Sequence, residues 1–123
     1  MRITARVVVA GADGKTRFEE RELVLDPIEG VAPGGVFEAA GLGTNDVALV
    51  RFQPGFEADF HLTPAPVWMF VMTGRLQLGL SDDVWAELGP GDAVYMTDQE
   101  GEGHRSRVLG DEDVLMVTAG YGG

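Results

Sequence analysis

Apolar residues come in short runs that polar, glycine and proline residues interrupt, and the runs alternate rather than repeat at helical spacing. Arg2–Val9 is rich in β-branched residues and predicts a strand. Gly11-Ala12-Asp13-Gly14 predicts a hairpin turn, and Thr16–Leu25 a second strand that Asp26-Pro27 ends. A loop is expected over Glu29–Gly35, and Val36–Ala40 is ambiguous. Further strands are predicted over Asp46–Phe52, Glu57–Leu62, Val67–Thr73, Arg75–Leu80, Val84–Leu88, Ala93–Thr97, His104–Val108 and Val114–Ala119. Pro54-Gly55, Ser81-Asp82-Asp83, Gly89-Pro90-Gly91-Asp92 and Gly110-Asp111-Glu112-Asp113 supply the turns between them, Asp98–Gly103 reads as a polar loop, and the tail from Gly120 is expected to fray. Turn signals every 8–12 residues or so indicate an all-β sandwich or barrel.

The 123 residues fit one domain, 1–123, with no linker and no internal repeat. The longest apolar run, Val67–Met72, is far short of the roughly 20 residues of a membrane helix. The N-terminal segment lacks the apolar stretch and cleavage site of a signal peptide, so the expected location is the cytoplasm. Twenty acidic against nine basic residues give a net charge of −11, which disfavours nucleic acid and anionic membrane as partners. The chain has no cysteine, which removes disulfides, thiolate metal sites and thiol nucleophiles. Lys15 is the only lysine, in a predicted turn, so Schiff-base chemistry is not expected. No Gly-x-Ser-x-Gly motif surrounds a serine, and Gly101-Glu102-Gly103 precedes a strand rather than the helix a phosphate cradle needs.

Two segments carry a family resemblance. The first runs from Gly55-Phe56-Glu57-Ala58-Asp59-Phe60-His61-Leu62-Thr63-Pro64 through the apolar stretch Val67–Thr73 to Gly74. The second is Gly89-Pro90-Gly91-Asp92-Ala93-Val94-Tyr95-Met96, followed by a loop and His104. In that order, over residues 55–117, they resemble the cupin superfamily. The resemblance implies a jelly-roll (double-stranded β-helix) barrel, with the N-terminal strands, residues 2–25, packing on the barrel or on a partner subunit. His61 and His104 match the first and third histidines of the usual cupin metal site. Thr63 stands where the second histidine belongs and Val67 where the glutamate belongs, so the metal motif is degenerate. The chain is similar to small cupins with His61-Leu62-Thr63-Pro64 and Gly101-Glu102-Gly103-His104-Arg105-Ser106 elements.

Strand alternation puts His61 with Thr63, and His104 with Ser106, on shared faces. If these faces point into the barrel, they meet Val67, Met69, Val71, Leu76, Leu78, Val94 and Met96. Such a pocket is apolar with a few polar groups, which suits a small organic molecule. Tyr95, if inward, would help orient it. The leading expectation is an enzyme needing no cofactor, with His61 and His104 as acid and base in an isomerase, cyclase, dehydratase or lyase step. A non-catalytic binding or sensor module needs the same groups. A divalent-metal enzyme is the third reading: Glu57, Asp59 and His61 share one face of a regular strand, and His104 completes a set. Arg105 and Arg107 should lie outside. The apolar face of Trp68, Phe70 and Met72 should be covered by the N-terminal strands or by the partner of a homodimer.

Overall fold

The computed structural model describes residues 1–28, 37–43 and 46–120. The predicted loop over 29–35 and the tail over 121–123 lie outside the described residues. Among the described residues twelve strands follow one another: β1 (Arg2–Ala10), β2 (Thr16–Val24), β3 (Asp26–Ile28), β4 (Phe37–Ala39), β5 (Asp46–Phe52), β6 (Glu57–His61), β7 (Val67–Thr73), β8 (Arg75–Leu80), β9 (Val84–Leu88), β10 (Ala93–Met96), β11 (His104–Leu109) and β12 (Val114–Gly120). A single 3₁₀ turn, Ser81–Asp83, is the only helical element among the described residues, and no helix there is long and apolar enough to cross a membrane. The fold is an all-β jelly roll.

A six-stranded sheet runs β2-β1-β10-β7-β12-β5, and a four-stranded sheet runs β6-β11-β8-β9. The short ribbon β3–β4 stands apart. Pro27, read from sequence as a terminator, sits in β3 opposite Glu38. A two-stranded ribbon tolerates a residue that cannot donate to the ladder.

Alternation decides what meets between the sheets. Val8, Val71, Val94, Met96, Val114 and Met116 come from the six-stranded sheet, and Leu76, Leu78, Leu80 and Leu88 from the four-stranded one; all are buried in one cluster. Gly74 makes the sharp passage from β7 to β8 with φ +76°, and a Cβ there would collide with the Asp113 backbone.

The outer face of the six-stranded sheet carries a second cluster. Trp68 stacks on Tyr95 at 4.6 Å between centroids, and the Arg21 guanidinium stands 5.8 Å from each ring. Leu23 and Leu42 pack against this cluster. The N-terminal strands do not lie across this face. They extend the sheet edge to edge, with β1 parallel to β10 from Arg6↔Val94 to Val8↔Met96. Met72, Val47 and Leu49 remain exposed on the same side.

Candidate functional site

His61 closes β6 and His104 opens β11, and the two are cross-strand partners. Their ring centroids are 4.4 Å apart at an angle of 56°. The approach depends on Gly103, whose φ is +78° and whose Cβ, if present, would run into the His61 carbonyl.

A bulge sets which residues join the pair. Arg107 faces Glu57 and Ser106 faces Ala58, but the register then shifts before His104 meets His61. Two residues, Asp59 and Phe60, therefore stand on β6 where β11 has only Arg105. The extra residue turns His61 to the face of Ala58 and Ser106 and leaves Glu57 on the opposite one. This corrects the expectation of Glu57, Asp59 and His61 on a common face, which held only for a regular strand.

Each histidine has its Nδ1 occupied. His61 Nδ1 donates to the Asp59 carbonyl oxygen at 2.7 Å. A carbonyl only accepts, so Nδ1 carries the proton of this contact. His104 Nδ1 lies 2.6 Å from Asp98 Oδ2. Asp98 Oδ1 accepts from the Thr63 hydroxyl at 2.7 Å, and the Asp98 backbone carbonyl accepts from Thr63 N–H at 3.0 Å. Asp98 is fully buried, so each carboxylate oxygen has a protein donor in place of water. Asp98 is the residue that sequence reasoning missed.

The loop between Asp98 and His104 is braced from the N-terminal hairpin. The Thr16 hydroxyl donates to the Gly103 carbonyl at 2.8 Å, the Ser81 amide donates to that hydroxyl at 3.1 Å, and Thr16 N–H donates to the Ser81 hydroxyl at 2.9 Å. Glu102 N–H donates to the Gly14 carbonyl at 2.7 Å. Thr16 and Ser81 are both buried, so these bonds are shielded from water.

Of the expected lining, Ser106 is buried on the face of His104, opposite Leu78 and Ala58. Val71, Leu78 and Met96 are spent on the core, with exposures of 3%, 1% and 1%, and Val67 and Met69 pack against it half-buried. The pair thus sits at the solvent edge of a filled interior, with His61 exposed and His104 buried. Tyr95 corrects another expectation. Val94 and Met96 point into the core, so alternation sends Tyr95 to the Trp68 cluster, away from the histidines.

The donor set departs from that of an ordinary divalent-metal site. Thr63, in the place of a ligand, gives its hydroxyl proton to Asp98, and the bulge separates Glu57 from the pair. Among the described residues no group of three or more His, Asp or Glu side chains is placed to hold an ion. Two imidazole nitrogens fall short of the three or four protein ligands of ordinary divalent sites.

Comparison with solved structures gives the same fold at low identity. A cupin-like protein from Thermotoga maritima is 21% identical, with a TM-score of 0.53 over 66% of this chain and 59% of that one. A Cupin 2 conserved barrel domain protein from Salinispora arenicola is 20% identical, with a TM-score of 0.52 over 81% of this chain and 76% of that one. A DMSP lyase from Ruegeria pomeroyi is 24% identical, with a TM-score of 0.52 over 62% of this chain and 37% of that one. No curated protein sequence matches. The family profile described as Cupin domain matches residues 48–120, which hold both histidines, Thr63 and Asp98, and the chain belongs to the cupin family.

Proposed function

We propose that this cupin is a small-molecule enzyme whose chemistry is proton transfer at His61 and His104, with no resident metal. The observation that carries the reading is the pair itself: two imidazoles 4.4 Å apart, each with Nδ1 held by the protein. A ring held this way offers Nε2 to a bound molecule in a fixed direction. His61, tied to a neutral carbonyl and open to solvent, serves as the base and takes a proton on Nε2. His104, backed by the Asp98 carboxylate, returns a proton from Nε2 when it is in its imidazolium form, and Asp98 compensates that charge. Removal of a C–H proton beside a carbonyl and its return elsewhere is the shared core of isomerase and lyase steps. The filled interior favours a small substrate held at the edge of the core.

The test is hydrogen–deuterium exchange at carbon in heavy water, followed by NMR over a panel of small ketones, lactones and 2-oxo acids. Catalysed exchange with a panel member, reduced by about 10²–10⁴-fold in His61→Ala, is the expected result. Saturable binding of panel members with exchange no faster than in buffer would overturn it in favour of a binding module.

A further inference from the structure

The four-stranded sheet carries a second constellation on its outer face, on the side of β11 opposite His104 and Ser106. Arg105 and Arg107 project there, beside Trp85 of β9 and Glu57 of β6. Gly79 lies opposite both Arg105 and Trp85, and a Cβ on it would stand 2.8 Å from the indole. Its missing side chain lets Trp85 lie across the sheet. Trp85 Nε1 and Arg105 Nη2 both donate to Asp83 Oδ1, each at 2.7 Å. The indole then draws in both guanidiniums, with Arg105 Cζ 4.4 Å and Arg107 Cζ 4.3 Å from its centroid.

Arg107 and Glu57 are cross-strand partners, and opposite charges so placed ordinarily close on one another. Here Arg107 leans onto Trp85 and donates from Nε to Gln77 at 2.5 Å. Among the described residues neither Arg107 nor Glu57 enters an ion pair. A cleft of about 340 Å³ opens instead, lined by Arg105, Arg107 and Trp85 together with Glu57 and Asp59.

We propose that this cleft binds a small zwitterion, a molecule with an anionic and a cationic end joined by a short aliphatic link. Arg105 is already neutralised by Asp83, so the anionic end goes to the terminal nitrogens of Arg107. The cationic end goes to Glu57 and Asp59, and the link lies against the indole. A plain anion would meet two carboxylates and the field of a protein of charge −11. A plain cation would leave the terminal nitrogens of Arg107 without an acceptor. A molecule with both charges and no net charge meets neither objection. The site is independent of the histidine pair.

The experiment titrates the full chain with glycine, β-alanine and 4-aminobutyrate, and with propionate and propylammonium as single-charge controls. The readout is the indole N–H resonance of Trp85, assigned with Trp85→Phe, with Trp68 as the internal control. At least one amino acid should shift Trp85 saturably and leave Trp68 in place. Arg107→Gln and Glu57→Gln should each weaken that binding by roughly tenfold, with an unchanged thermal midpoint. No saturable shift with any amino acid would overturn the proposal, as would equal binding of propionate or propylammonium, or indifference to Glu57→Gln.

Discussion

Asp98 and His104 form a buried carboxylate–imidazole contact of 2.6 Å, with the Thr63 hydroxyl on the second carboxylate oxygen. One aspartate therefore orients the ring and ties together the two segments that flank the site. Asp98→Asn keeps the shape but can present an amide N–H to the ring, which favours the wrong tautomer. Carbon exchange should fall by about 10²–10⁴-fold, more than stability does. An exchange rate within twofold or so of the parent would show that the tautomer is not needed.

The two histidines should separate in their effect on folding. His61 is exposed and bonded only to a carbonyl of its own strand, so His61→Ala should change the unfolding free energy by no more than about 0.5 kcal/mol. His104→Ala leaves the Asp98 carboxylate buried without its partner and should cost about 3–5 kcal/mol. Urea denaturation of the two variants makes the comparison, and equal losses would contradict the assignment of the buried contact to His104.

Gly103→Ala should be far more damaging than Gly55→Ala. Both glycines have positive φ, at +78° and +86°, so both substitutions carry a backbone cost of about 1–2 kcal/mol. Only Gly103 has the His61 carbonyl where the methyl would go, whereas the space at Gly55 is open. Thermal midpoints of the pair measure the steric part alone, and the Gly103 variant should also lose the contact between the rings.

Lys15 reports on the brace. Its side chain lies 3.0 Å from Asp82, which raises its pKa above the usual 10.5 through the hydrogen bond first and the charge second. A raised folded value means that the pair's contribution is complete below pH 10.5 and is lost as pH climbs through the raised value. Because Lys15 is the only lysine, side-chain NMR follows it without ambiguity. In Asp82→Asn its titration should move down towards the ordinary value, and an unmoved titration would mean that the contact does not persist in solution.

Chelation should leave the molecule as it is. With two imidazoles as the donors at the site, treatment with a strong chelator should change neither the thermal midpoint nor carbon exchange. Loss of both, restored by one divalent metal, would reverse this reading.

Most strand positions were legible because hydrophobic alternation and turn residues are local signals. The histidine pair was legible because the chain has two histidines, each at a motif position on a predicted strand. Asp98 was not, since it begins a polar loop and strand periodicity says nothing about burial there. Its signal was its position two residues after the apolar stretch of β10 and six residues before His104. The bulge at Asp59 and Phe60 was hidden because a bulge is a property of two strands in register. Tyr95 was legible after all: once Val94 and Met96 are inward, the residue between them is not.

The parallel pairing of β1 with β10 has a kinetic meaning. Arg6 meets Val94, and Thr16 meets Gly103 across 87 positions, so the β1–β2 hairpin docks only on strands far along the chain from it. Closing so long a loop costs chain entropy, so the β1–β2 hairpin should be among the last elements to dock. Assembly of the loop that carries Asp98 and His104 therefore waits on a long-range event, and the site should mature late, after the antiparallel pairs of β7, β8, β9 and β12 have already formed.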